Sequence, residues 1–151
     1  MLRDDINTSL KNAMKAGDKR RISTLRLVNA AIKDRDIEAR GAGRETLSDE
    51  ELHGLLQKMI KQRQESLAIY EQAGRAELAA QEREEIEIIS AYLPLQMSEA
   101  EMREAIAGIV TELRAAGMKD MGKVMAALKE RYAGRMDFAK ASAGVKAQLA
   151  G

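Results

Sequence analysis

The chain has 151 residues, a formal net charge of +1, one histidine and no cysteine. A chain of that length holds one domain or two small ones and needs no covalent staple; without cysteine, disulfides and thiolate metal sites are excluded. So small a net charge excludes a global field for polyanions, and any basic surface must be local.

The composition favours helix. Apolar residues make up 45% and charged residues 32%, with one proline and four aromatics, a bias towards side chains that lose little rotamer freedom in a helix. In chain order, Leu2, Ile6, Leu10 and Met14 predict a first helix, and Ile22, Leu25, Val28 and Ile32 a second. A third, from about 49 to 73, carries Leu52, Leu55, Leu56, Met59, Ile60, Leu67 and Tyr70, opened by a capping box of Ser48 and Glu51. A fourth, from about 75 to 92, has Leu78, Ile86, Ile89 and Leu93 on one side. Pro94, which cannot continue a helix, stops it.

After Pro94 the chain restarts with a second capping box, Ser98 and Glu101, and shorter periodic stretches. These are Met102, Ile106, Ile109, Val110 and Leu113; then Met121, Val124, Met125 and Leu128; then Phe138, Ala141, Val145 and Leu149. Glycines 17, 41, 74, 117 and 134 each follow a periodic stretch, where a left-handed cap is expected. No stretch alternates long enough to be a strand. The expected architecture is all-α: an N-terminal helical domain (1–94) of four helices with a long hairpin turning near 74, and a small three-helix C-terminal domain (95–151).

Charge is distributed in blocks. Lys15 to Arg35 holds seven basic and two acidic residues, and Met118 to Gly151 seven basic and three acidic. Between them, Glu65 to Ser90 holds seven acidic residues and two basic ones. Two basic regions are thus separated by an acidic helix.

Catalytic chemistry has little to work with. Nucleophilic catalysis of the serine–histidine kind needs a base oriented by a third group, and His53, early in the third helix, reads as a lone solvent-facing histidine. Glu82, Glu84, Glu85 and Glu87 read as a solvated helix face rather than a metal site, because neighbouring positions point in different directions. The Met118, Met121 and Met125 stripe reads as core before it reads as an adaptable groove. Lys58, Lys61 and Arg63 are either an RNA contact or the wet face of a long helix. No catalytic residue, metal or cofactor is expected.

Several strings carry a family likeness. Leu25-Arg26-Leu27, Lys61-Gln62-Arg63 with Glu65-Ser66, Gly74-Arg75 with Leu78, and Tyr92-Leu93-Pro94 with Gln96 resemble the YqeY-like family. So do Gly122-Lys123-Val124-Met125, Gly134-Arg135 with Asp137, and Val145-Lys146. The resemblance runs through the whole chain in order. It implies a small, cytoplasmic, bacterial, all-helical protein whose C-terminal part is similar to the tail domain of the B subunit of tRNA-dependent amidotransferase. That tail domain helps grip tRNA, so the resemblance implies RNA contacts at Lys123, Arg135 and Lys146, with Lys129 and Lys140 as further cations of the same basic region. Gly122 and Gly134 have either structural or ligand-facing reasons to be there. Asp137-Phe138-Ala139-Lys140 departs from the family pattern: the basic residue is displaced by one, about 100° around a helix, and Phe138 is expected in the core.

The amidase and kinase chemistry of the amidotransferase is not imported, since nothing in the chain corresponds to those domains. The expected partner is tRNA or another folded RNA, recognised by backbone shape, because Tyr70, Tyr92, Tyr132 and Phe138 are too few for a stacking platform. One alternative is a protein adaptor docking an aminoacyl-tRNA synthetase or amidotransferase component; a third reading, amidotransferase-class activity with glutamine as amido donor, rests on the domain resemblance alone. A secretory signal and an apolar span are both missing from the sequence, which favours a cytoplasmic protein away from the membrane.

Overall fold

The computed structural model describes residues 2–150, which form seven α-helices and one 3-10 turn and, among the described residues, no strand. The chain divides into two compact units, Met1–Leu93 and Pro94–Gly151.

In the first unit, α1 (Leu2–Ala16) buries Leu2, Ile6 and Ala13, and it ends at Gly17, whose φ of 69° lies in the left-handed region. Asp18 then caps α2 (Lys19–Gly41), accepting a hydrogen bond from the Arg21 amide at 3.2 Å. Met14 is half-exposed at 52% rather than lining the core. The left-handed residue after α2 is Gly43, with φ 84°, and not the Gly41 that the sequence singles out, because the helix runs through Gly41. α3 (Asp49–Gln72) and α4 (Ala76–Ser90) form the hairpin, turning at Gly74 with φ 69°. The capping box of Ser48 and Glu51 is formed.

The core of this unit joins Ile6 with Leu25, Val28 and Ile32, with Leu52, Leu55, Leu56 and Met59, and with Ile88 and Ile89. Tyr92 and Leu93 pack against it. Beyond Met59, α3 contributes no further buried residue. The distal hairpin is therefore two helices packed on each other, with Leu67 and Tyr70 half-buried and Ala79 buried. A second tie binds the base of the unit. Arg3 donates to both carboxylate oxygens of Asp36 at 2.7 and 2.9 Å, and the Leu47 amide donates to Oδ1 at 3.3 Å. The Arg3 hydrogen bonds hold the Asp36 carboxyl below its ordinary pKa.

The second unit comprises α5 (Glu99–Glu112), the 3-10 turn Met118–Asp120, α6 (Met121–Tyr132) and α7 (Phe138–Ala150). Its core is Met102, Ile106 and Ile109, Val124 and Leu128, Ala141 and Val145, and Met136. The Ser98–Glu101 capping box is formed. The left-handed residue that ends α5 is Arg114, φ 53°, while Gly117 is extended at φ 177°. Here too the sequence marks the neighbourhood but names the wrong residue.

Candidate nucleic-acid interface

The outward surface of the second unit follows from what its helices bury. α6 buries Val124 and Leu128, and α7 buries Ala141 and Val145. At 100° per residue, Lys123 and Lys129 stand on the opposite side of α6, about 120° apart, and Lys140 and Lys146 do the same on α7. All four are exposed, and none takes part in an ion pair among the described residues. The arcs between them are alike. On α6 they enclose Gly122, Ala126 and Glu130; on α7 they enclose Ala139, Ala143, Ala147 and Ala150, all exposed. Each helix thus presents a low strip of mostly small residues with a lysine on either flank.

Gly122 has no packing reason to be glycine. A Cβ built there meets nothing within 4 Å, so close helix approach is not its task. That task belongs to Gly144, whose Cβ would lie 3.0 Å from Ile106 Cδ1 across the α5–α7 contact. The sequence passes over Gly144, whose only signal is its place beside Val145 on the buried face.

Arg135 is placed differently from the lysines. Half-buried, it donates from Nε to the Leu95 carbonyl at 3.0 Å, and its guanidinium lies 5.7 Å from the centre of the Tyr132 ring. The Met97 amide donates to the Arg135 carbonyl at 2.8 Å, and Gln96 Nε2 donates to the carbonyls of Gly134 at 2.5 Å and Pro94 at 2.9 Å. Residues 95–97 therefore form a strap bound to the turn after α6. Gly134, buried with φ 75°, supplies the turn itself. The strings around Pro94-Gln96 and Gly134-Arg135, forty residues apart, meet here. Asp137 caps α7 through Oδ1 to the Ala139 amide at 2.8 Å. Phe138, Met121 and Met125 pack against the core, whereas Met118 is 46% exposed. Met136, buried in the non-helical turn, was missed because it belongs to no helical period.

In the first unit the glutamates do not form one solvated face. Glu84 and Glu87 are exposed, Glu82 is half-buried, and Glu85 is buried. Glu85 accepts from Arg63 Nε at 3.0 Å and from Gln81 Nε2 at 3.3 Å, and Arg63 also donates to the Met59 carbonyl at 3.2 Å. Arg63 is thus held in the hairpin, while Lys58 and Lys61 are exposed. Burial, and then the Glu85 charge, raise the pKa of Glu82, whose buried Oε2 has no hydrogen-bond partner. His53 is half-buried rather than solvent-facing. No cluster of three or more metal-ligating side chains occurs among the described residues, and none of the described helices is long and apolar enough to cross a membrane.

These features define a two-unit, all-α protein with a cationic C-terminal unit. A family model described as Yqey-like protein matches residues 3–149, and the chain belongs to that family. It is 36% identical over 113 residues to altered inheritance of mitochondria protein 41, mitochondrial, of Lachancea thermotolerans, covering 73% of this chain and 58% of that protein. The protein of the same name in Pyrenophora tritici-repentis is 30% identical, covering 83% and 70% of the two chains. The one in Clavispora lusitaniae is 34% identical, covering 76% and 65%. The chain thus spans about 58% of the first of these relatives. Neither the family description nor the relatives' names states a catalytic activity. The expectation of a bacterial, cytoplasmic protein is corrected by these names, since the relatives are fungal and named mitochondrial.

Proposed function

We propose that the chain is a non-catalytic accessory protein whose C-terminal unit binds the backbone of folded RNA, tRNA being the best-fitting class. The observation that carries this reading is the repeated surface of α6 and α7, a strip of mostly small residues, interrupted on α6 by Glu130, flanked by two exposed lysines. Small residues let a helix approach a backbone closely, and lysines on both flanks then reach phosphates. Gly122 supports the reading, because its missing side chain leaves room that nothing in this chain uses. Lys123, Lys129, Lys140 and Lys146 are the phosphate contacts. Arg135 acts mainly through the strap it holds, so its replacement should weaken the unit before it weakens an RNA contact.

Replacing the four lysines by alanine should leave helix content unchanged. Each phosphate contact contributes a salt slope of about 0.7–0.9, so the slope for folded tRNA should flatten by roughly two to four units. Affinity should fall about equally for different tRNAs, since phosphate contacts position without specifying sequence. Binding across a salt series for wild type and the quadruple variant is the measurement. Absence of wild-type binding even at low salt would leave the adaptor, docking a synthetase or amidotransferase component, as the better reading.

A further inference from the structure

The first basic block, between Lys15 and Arg35, takes no part in that reading. Most of it lies on α2, whose buried face is Thr24, Leu25, Val28, Ile32, Asp36 and Ala39. Opposite that face, Lys19, Ser23, Arg26, Ala30, Lys33 and Ile37 fall in one arc about 80° wide at 100° per residue, and all six are exposed. The three cations recur every seventh residue, which spaces them about 10.5 Å apart along the helix. Two basic neighbours are engaged within the unit: Arg20 pairs with Glu84 at 3.0 Å and Arg21 with Asp18 at 3.6 Å. Lys19, Arg26 and Lys33 have no ion pair among the described residues.

Apolar surface borders this ladder. Met14 is 52% exposed, Leu27 48% and Ile37 56%. At the N-terminal end of α2, Met14, Lys19, Ile22, Ser23 and Arg26 line an open groove of about 380 Å³.

We infer that the outward face of α2 docks an acidic amphipathic helix of a partner protein. Two helices packed at a small crossing angle keep their side chains in register over several turns. A partner helix with a carboxylate at every seventh position therefore matches the cations in both spacing and direction. Its aliphatic positions cover Leu27 and Ile37 and enter the groove beside Met14 and Ile22. A nucleic-acid strand fits less well. Its charges repeat every 3.4 Å or so along the helix axis, leaving most phosphates between the cations unmatched, and its backbone offers nothing apolar to cover. The inference is independent of the RNA reading, which concerns the other unit.

The probe is a synthetic 21-residue helical peptide with glutamate at every seventh position, flanked by leucine and isoleucine. Its control is a scrambled peptide of the same composition. The full chain should bind the patterned peptide at least tenfold more tightly than the scrambled one. The K19A/R26A/K33A variant and, separately, the L27S/I37S variant should each weaken binding fivefold or more with unchanged helix content. The C-terminal lysine quadruple variant should bind the peptide as wild type does. Equal binding of both peptides, or no binding at low salt, overturns the inference. So does a duplex RNA that loses affinity in the K19A/R26A/K33A variant but not in L27S/I37S, since that pattern makes α2 a nucleic-acid face.

Discussion

Arg114 occupies the position that glycine holds after α1, α2 and α3. At all four helix ends the same pair of hydrogen bonds closes the turn; after α5 it joins the Arg114 amide to the Thr111 carbonyl at 3.2 Å and the Ala115 amide to the Val110 carbonyl at 3.0 Å. An L-residue in this conformation costs about 1–2 kcal/mol, part of which a glycine returns as unfolded-state entropy. Arg114→Gly should therefore stabilise the chain by roughly 0.5–1 kcal/mol, read as a higher urea midpoint at constant m-value. Gly122→Ala should also stabilise, by about 0.5–1 kcal/mol, since the new Cβ meets nothing. On the RNA reading, the same change weakens tRNA binding. A rise in stability with unaltered affinity would remove Gly122 from the interface. These sites show what a sequence exposes at this scale. Gly41 and Gly43 are equivalent on paper, and only the point where the helical hydrogen bonds give out decides which becomes left-handed.

At the scale of the element, the hairpin separates four glutamates that look alike in sequence. Removing Glu85 leaves the Arg63 guanidinium largely buried without its partner, the side chains being only 14% and 8% exposed. Glu85→Ala should therefore cost about 3 kcal/mol, near the lower end for a broken buried pair. Glu84→Ala, in an exposed pair with Arg20, should cost less than about 1 kcal/mol. Denaturant unfolding of the two variants measures the contrast. Glu82 makes a pH prediction of the opposite kind. Its folded pKa is raised, so the folded state holds the proton more tightly than the unfolded chain. The stabilising contribution is complete below the unfolded carboxyl value and is lost as pH rises through the folded one. Glu82→Gln should therefore gain stability over wild type at neutral pH, and the gain should vanish on acidification below pH ~4. Helix periodicity made the hairpin legible, together with Gly74 and the Ser48 capping box. The ion pair was not legible, because a glutamate reads as solvated until its arginine, 22 residues upstream on another helix, is brought against it.

For the whole molecule, Pro94 and the change in helix length mark the place where the chain divides. The strap beyond it carried no signal, since a non-helical run hydrogen-bonded to a turn some forty residues away has no periodicity to read. It sharpens what an excised fragment should do. A fragment of residues 94–151 keeps the hydrogen bonds of Leu95, Gln96 and Met97 to Gly134 and Arg135, and it should unfold cooperatively. A fragment starting at Ser98 loses these three bonds and should be about 1.5–4.5 kcal/mol less stable, at roughly 0.5–1.5 kcal/mol for each hydrogen bond. Equal stability of the two fragments would mean that the strap contributes nothing to folding.

The strap also decides how the C-terminal unit bears load. Tension reaching it through the connecting chain meets the hydrogen bonds of Leu95 and Gln96 before it reaches Met97, whose side chain packs against the core. Those bonds act as a mechanical fuse. Under a pull the connector should peel from Gly134 and Arg135 first and lengthen by a few residues, while the three helices and their lysine-flanked faces stay folded. In a fusion protein the same geometry places the safe junction ahead of Pro94.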